Sequence, residues 1–384
     1  MQGSFYYASP TRIISGLGAK ERAGQEARDA GGTKALIVTD KGVLNAGLVD
    51  EVIDSLRKAG LGVVIYDKVE TNPVLSMVDE GHQLYRSEGC DILVAVGGGS
   101  SIDLAKAIGV LTNNPGPLVQ YEGADKIPHP ISYLIAIPTA AGTGAEVTFS
   151  ALITDPDRHY KISIRSFYLA PRVAILDPGM LKTLPSHIAA MTGMDSLTHA
   201  IEAYVSTSAS PITDLLAFEA INISAASLER FVADPSNPSA ASLMQLACAY
   251  AGMAFANARL GNVHAMAHPL GGHFNLHHGL ACAILLPRVI DFNLNSSPHK
   301  YAKIALAMGQ QVDEDLSLES AKSASQAIYS LLETLNLPTK LGELGVTTDK
   351  IPVIARDAVT TGIHGTNPRL TDFGDFVRLY EACM

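Results

Sequence analysis

Through the first half of the chain, short apolar runs alternate with amphipathic segments. KALIVTD (residues 34–40) is an apolar run that ends in a polar turn. GLVDEVIDSLRKAG then carries apolar residues at helical spacing and stops at Gly60. GVVIYDKV reads as a strand and SMVDEGHQLYRSEG as a helix. CDILVAVGGGS is a strand running into a glycine loop, SIDLAKAIGVL is a helix, and SYLIAIPTA and VAILDP are further strands. Strands alternating with helices at this spacing predict βαβ units and a mostly parallel, Rossmann-like sheet.

The texture changes after DPGMLKTLPSH (residues 177–187). HIAAMTGMDSLTHAIEAYV, TDLLAFEAINISAASLERFV and AASLMQLACAYAGMAFANARLG are long, Ala- and Leu-rich helical stretches with little strand character. The pattern predicts two domains: an α/β dinucleotide-binding domain over residues 1–182 and an all-helical domain over residues 183–384. DPSNPS (234–239) and NLNSSPHK (293–300) read as loops.

Composition adds exclusions. The 384 residues are 47% hydrophobic and 17% charged, ample for a large core and far from a disordered composition. No uninterrupted apolar run reaches the roughly 18 residues of a membrane span, and the N-terminus lacks the layout of a signal peptide, so no membrane association is expected. The four cysteines are scattered without a CxxC pair, which fits a reducing cytoplasm and argues against a disulfide scaffold or a Cys-type zinc site. A formal charge of −10 argues against nucleic acid as a partner, since a phosphate backbone calls for a basic patch.

Two glycine loops suggest a dinucleotide. Gly97, Gly98, Gly99 and Ser100 follow one strand and open a helix. Backbone N–H groups at such a terminus point outward with partial positive charge, and a chain without Cβ atoms can approach a diphosphate closely. The run is not GxGxxG, because Ile102 occupies the third glycine slot, and a tight βα turn accounts equally well for these glycines alone. The second stretch, IPTAAGTGAEVT (residues 137–148), again follows a strand and offers Thr139 and Thr143 hydroxyls beside Gly142 and Gly144. Asp40 ends the first strand. A carboxylate there can accept from both ribose hydroxyls and repels a 2′-phosphate, which favours NAD over NADP.

The second half carries a metal constellation. Asp195 and His199 are four apart in a helical pattern, so both face one side. His264 and His268 repeat that spacing, although Pro269 disfavours a plain helix at His268. His273, His277 and His278 follow, so five of the twelve histidines fall within fifteen residues. The ligand set, with no cysteine, excludes a thiolate site; one carboxylate with three imidazoles suits Fe(II), Zn(II) or a neighbouring divalent ion, and a metal so held with an open position is a Lewis acid. Spacing alone does not say which of the five late histidines bind.

With these residues in hand, the chain resembles the iron-containing (group III) alcohol dehydrogenases. VGGGSSIDLAKAI, IPTAAGTGAEVT, DPGMLKTLP, TGMDSLTHAIEAY, AGMAFANARLGNVHAMAHPLGGHFNLHHG and the late TNPR carry the resemblance, in order, from about residue 36 to residue 369. The resemblance implies the fold shared by those enzymes and dehydroquinate synthase, with the metal in a cleft between the two domains. It implies Asp195, His199, His264 and His278 as metal ligands. His268 is implied to act beside the metal as a proton relay, and His273 and His277 are not implied ligands. For NAD(H) it points to Asp40, Asn72, Gly98, Gly99, Ser100, Thr139, Thr143, Lys161 and Leu181. Phe149, Ser150, Phe255, Ile363 and the neighbouring His364 are implied to border a mainly apolar substrate pocket. The sequence departs from the family's pattern at Ala140 and Ala145, which replace hydroxyl residues, and at Arg259, where a small residue is common.

The implied function is NAD(H)-dependent hydride transfer from a metal-bound alkoxide, on a short-chain primary alcohol or diol or the corresponding aldehyde, by a homo-oligomeric enzyme. The alternative is a dehydroquinate synthase-like lyase, which also uses NAD and a metal. Its phosphorylated, acidic substrate calls for a basic cleft, yet Arg259 and Arg288 are the sole Lys or Arg side chains of residues 241–290.

Overall fold

The protein, a computed structural model, is described over residues 4–158 and 160–384. The chain divides into two compact units.

The first unit comprises Ser9–Leu184 and Pro235–Gln245. Its elements are β1 (Arg12–Ser15), α1 (Ala23–Asp29), β2 (Lys34–Val38), α2 (Lys41–Asn45), α3 (Asp50–Lys58), β3 (Gly62–Tyr66), α4 (Leu75–Ser87), β4 (Ile92–Gly97), α5 (Gly99–Asn113), β5 (Gly123–Ala124), β6 (Tyr133–Pro138), β7 (Ser150–Asp155), β8 (Tyr160–Arg165) and β9 (Val173–Leu176). Six strands form one parallel sheet in the order β1-β9-β6-β4-β2-β3. Every residue of β4 and β9 is buried, as expected of parallel strands covered on both faces. Leu36, Val38, Leu93, Ile102, Ile108 and Leu134 are core residues of this layer. Burying each such side chain stabilises the fold by about 1.5–3 kcal/mol.

The strand order positions the cofactor loops. From β2 the chain continues to β3 on one side, whereas β4 lies on the other side of β2. The order therefore reverses between β2 and β4, and open α/β sheets accept ligands outside the carboxyl ends of strands at such a reversal. Asp40 follows β2, and Gly97–Gly99 end β4 and open α5.

A smaller sheet, β5-β8-β7, pairs β7 and β8 in antiparallel register. A buried polar network joins α5 to the segment that leads into β7 and to β7 itself. Lys106 of α5 donates to Thr148 Oγ1 (3.1 Å) and to the Ser150 carbonyl (2.8 Å), and the Asp103 carboxylate accepts from Leu152 N–H (3.1 Å). Burial lowers Lys106 to about 8, against the pull of Asp103 and Glu146, and burial raises Glu146 to about 7. These bonds fasten α5 to the strand β7 that follows the second glycine loop.

The second unit comprises Pro185–Asp234 and Leu246–Met384, with the described residues up to Ala8. It contains α6 (Ser186–Val205), α7 (Pro211–Ala233), most of α8 (Pro238–Ala258), α9 (Asn262–Phe274), α10 (His278–Asn293), α11 (Pro298–Ala307), α12 (Leu318–Thr334), α13 (Ile351–Thr360) and α14 (Phe373–Ala382). No strand occurs here among the described residues. Ser210 and Thr213 form a reciprocal capping box with Pro211 in the first turn of α7, a strong start signal. By length and composition α8 could cross a membrane, yet 61% of its most apolar window is buried inside the protein, as in a core helix. At Pro269 the structure departs from the sequence reading: α9 runs through it as continuous helix. Val263–Ala267 and Leu270 are buried around the proline, and this packing outweighs the local cost of about 3 kcal/mol.

Candidate metal centre and cofactor loops

At the carboxyl edge of the parallel sheet, residues distant in sequence converge. Asp40 caps α2, its Oδ1 accepting from Val43 N–H at 2.9 Å. The other oxygen faces the glycine loop: a Cβ built on Gly97 would lie 3.6 Å from it. A Cβ on Gly98 would meet nothing, whereas one on Gly99 would come within 2.8 Å of Thr143 Oγ1. The two glycine loops therefore touch, and only glycine at 99 permits that approach. Thr139 N–H donates to the Gly97 carbonyl (3.1 Å), and the Ser100 hydroxyl donates to the Thr71 carbonyl (2.7 Å). Lys161 reaches Asn72 Oδ1 at 2.9 Å; burial lowers its ammonium and Asp103 opposes that. Leu181 is a fully buried side chain in a 3-10 turn after β9, beyond the carboxyl end of a strand of the same parallel sheet. Open space over Gly98 at the N-terminus of α5 suits a diphosphate.

In the helical unit, α6, α9 and α10 bring side chains to one point. Asp195 Oδ1 is buried and has no hydrogen-bond partner, yet His278 Nε2 lies 3.6 Å and His264 Nε2 3.7 Å away. Two oxygen or nitrogen ligands of one tetrahedral ion, each about 2.0–2.1 Å from it, are roughly 3.4 Å apart. A carboxylate oxygen left unbonded in the interior is costly, and a cation among these atoms removes that cost. His199 lies beside this group, its Nδ1 3.9 Å from Asp195 Oδ2. Its ring stacks on His264 (4.3 Å between centroids) and on Phe255 (4.4 Å). His268 is next along α9, 5.5 Å from the His278 ring.

The electrostatics are those of a cation-seeking pocket. Burial pushes the Asp195 carboxyl up, but His199, His278 and His264 together hold it well below the usual carboxylate range. For His264, burial works downward and is overcome by Cys282, Asp195 and Glu202, which raise it well above an ordinary imidazole. Such a pocket draws positive charge.

Two residues that sequence reasoning passed over belong here. Glu202 is buried and accepts from Gly261 N–H (3.0 Å) and Val263 N–H (2.6 Å), and it pairs with His264 Nδ1 at 2.6 Å. It therefore leaves Nε2 of His264 facing Asp195. The signal was present, since Asp195, His199 and Glu202 sit at i, i+4 and i+7 on α6. Cys282 joins Asp195, His264 and His278 in a group whose ligand atoms all lie within 4.8 Å of one another. Its position, four residues after His278 on α10, was the clue.

Comparison with known proteins agrees with this geometry. The family model described as iron-containing alcohol dehydrogenase matches residues 10–178, and that of the C-terminal part of the same family matches residues 189–384. The chain belongs to the iron-containing alcohol dehydrogenase family. It is 40% identical over 386 residues to choline dehydrogenase of Bacillus subtilis (strain 168), covering 100% of this chain and 96% of that one. It is 41% identical to lactaldehyde reductase of Escherichia coli (strain K12), covering 95% and 96%. A crystal structure of 1,3-propanediol oxidoreductase superposes with a TM-score of 0.97 at 40% identity, over 100% of both chains. As a member of this family the chain is an oxidoreductase acting on CH–OH groups.

The remaining expected site residues fall as follows. Phe255 of α8 stacks on His199. In the first unit, Phe149 is buried against Phe167 (4.7 Å) with Arg165 over its ring (5.1 Å). Ser150 starts β7 and accepts from Lys106. Ile363 and His364 lie on a 3-10 turn, His364 meeting the Phe376 ring edge-on at 5.4 Å. His273 turns away to pair with Asp357 of α13 at 2.7 Å. His277 caps α10 and its imidazole is lowered, chiefly by burial. Arg259 ends α8 at φ 69°, a left-handed position where a side chain is strained and glycine or asparagine is usual.

Glu202→Gln tests the support under His264. The amide has one oxygen in place of two, so one of the two backbone N–H groups loses its acceptor, and the amide cannot hold the imidazole as a carboxylate does. Metal affinity is expected to fall about 10- to 100-fold, read by chelator competition, with NADH affinity unchanged.

Proposed function

We propose that this chain is an NAD(H)-dependent, divalent-metal-dependent dehydrogenase of short primary alcohols or diols, or a reductase of the matching aldehydes. The observation that carries the reading is the convergence of Asp195 Oδ1, buried and unpartnered, with Nε2 of His264 and His278. Asp195, His199, His264 and His278 would hold the ion, Fe(II) first and Zn(II) as the nearest substitute. When bound, the ion supplies Lewis acidity to the substrate oxygen.

The protein's own groups do the rest. The Asp195 carboxylate balances the ion's charge, and Glu202 fixes the tautomer and orientation of His264. In the first unit, the N–H groups opening α5 receive the diphosphate, and the second oxygen of Asp40 accepts from the adenosine ribose. Asn72 holds Lys161 in place within the same loops. His268 carries the alcohol proton away, since imidazole titrates in the range a shuttle needs. Phe149, Ser150, Phe255 and Ile363 border the substrate in this reading. The relatives' names span choline, lactaldehyde and propanediol, all bearing a short carbon chain with an alcohol or aldehyde. The four cysteines are buried and form no disulfide, which fits a reducing cytoplasm, and the reading includes a homo-oligomer, as the resemblance implies.

The test is NADH oxidation against a panel of short aldehydes, using metal-stripped protein reloaded with Fe(II) or Zn(II), with NADPH in parallel. Metal-dependent turnover with NADH preferred is expected. Failure with every aldehyde, despite bound metal and NADH, would overturn the reading.

A further inference from the structure

The thiol of Cys282 lies at the metal centre itself. Its Sγ is 3.6 Å from His278 Nε2 and 3.9 Å from His264 Nε2. With a metal–sulfur bond of about 2.3 Å and a metal–nitrogen bond of about 2.0–2.1 Å, sulfur and nitrogen on one tetrahedral ion are roughly 3.6 Å apart. Both separations are thus close to those of shared ligands, and without an ion the same atoms are within reach of hydrogen bonds to sulfur. Asp195, 3% exposed, points its unpartnered Oδ1 into the same space. Cys282 is fully buried on α10, one helical turn beyond His278. Its helix position fixes the sulfur on the ligand side.

We infer that Cys282 is a metal-binding side chain of this centre and, with Asp195, His264 and His278, gives it a one-sulfur ligand set for thiophilic divalent ions. The inference rests on the metal reading proposed above and deepens it. On binding, the S–H bond breaks, the sulfur electron pair forms the bond to the ion, and the proton leaves to solvent. Oxygen- and nitrogen-preferring ions such as Mn(II) are held by Asp195 and the imidazoles without the sulfur. Ions such as Zn(II) and Cd(II) recruit it, because thiolate is the soft donor of the group. Cys282 therefore governs which divalent ion the centre retains.

Cobalt(II) is the probe. Titrated into metal-free protein, it gives visible d–d bands when bound by any of these donors, and a near-ultraviolet sulfur-to-cobalt charge-transfer band only when a thiolate is bonded. Both bands are expected in the unaltered protein, with the charge-transfer band lost in Cys282→Ala and Cys282→Ser while the d–d bands remain. Cd(II) affinity, from chelator competition, is expected to fall about 10- to 100-fold in Cys282→Ala, with Mn(II) affinity within about threefold of the original. Cys90, Cys248 and Cys383 are outside the ligand group, so the spectrum of the unaltered protein decides the matter even if a variant fails to fold. Visible bands without charge transfer would overturn the role of Cys282 and leave the metal reading standing. A charge-transfer band that persists in Cys282→Ala would overturn it too. Absence of both bands would overturn the metal reading with it.

Discussion

Replacing His264 with Ala is expected to remove metal and turnover together, whereas His268→Ala leaves metal content near that of the unaltered protein and slows turnover. His264 is 1% exposed and stands between two buried carboxylates, its Nδ1 2.6 Å from Glu202 and its Nε2 3.7 Å from Asp195. Its removal takes one donor from the centre and leaves the buried Glu202 carboxylate without its imidazole partner. Breaking a buried pair in this way costs about 3–5 kcal/mol, or at least two orders of magnitude in affinity for the ion. Activity in Fe(II)-loaded protein should fall by roughly a thousandfold or more. His268 lies outside the tight ligand group, near the His278 ring. As a proton carrier its loss is expected to cost about a hundredfold in turnover. Metal content by mass spectrometry, measured beside the rates, separates the two roles. If His268→Ala lost the ion as fully as His264→Ala, the assignment of His268 to proton transfer would be wrong.

The α/β unit was legible because its strands are buried on both faces. After Lys34, the ALIV of β2 is apolar throughout, as are ILVAVG and YLIAIP, a pattern that few other settings produce. The strands that sequence reasoning passed over differ. β1 has only four residues, and its pattern is exposed at both ends. β7 and β8 show alternation, iBiBiB in β7, and a period-2 reading of SALITD and YKISIR would have found them. The metal centre was legible in part. Spacing of four places Asp195 with His199 and His264 with His268, but it does not reveal how α6, α9 and α10 cross. That crossing brings His278 to Asp195 and carries Cys282 with it. It also takes His273 away to Asp357, although His273 lies in the same dense run of histidines. Glu202 was missed for a different reason. A glutamate on a helix reads as a solvated charge, and only the packed structure shows it 4% exposed and turned toward His264. The Pro269 reading failed because a local rule was applied where tertiary packing decides.

Gly279→Ala is expected to damage both stability and metal binding, although alanine is the better helix former. In an exposed helix interior the exchange stabilises by about 0.5–1 kcal/mol. Here an added Cβ would lie 2.1 Å from the Met191 carbonyl oxygen of α6 and 3.2 Å from Asp195 Cβ. The first contact is with backbone, which cannot rotate aside, so α10 must draw back from α6 by about an ångström in a close-packed interior. Overpacking of this kind costs roughly 1–3 kcal/mol, enough to reverse the sign of the helix preference. Gly279 directly follows His278 in the chain, so the same displacement changes the 3.6 Å separation between His278 Nε2 and Asp195 Oδ1. A misplaced ligand should lower metal affinity by about 10- to 100-fold, as loss of a supporting group does. Gly272 of α9 is the control: a Cβ there meets nothing within 4 Å, so Gly272→Ala should keep the metal and unfold at an equal or higher denaturant concentration. The paired measurement is the denaturation midpoint and the metal content of each variant. If Gly279→Ala matched Gly272→Ala in both, close approach of α6 and α10 would not be what assembles the centre.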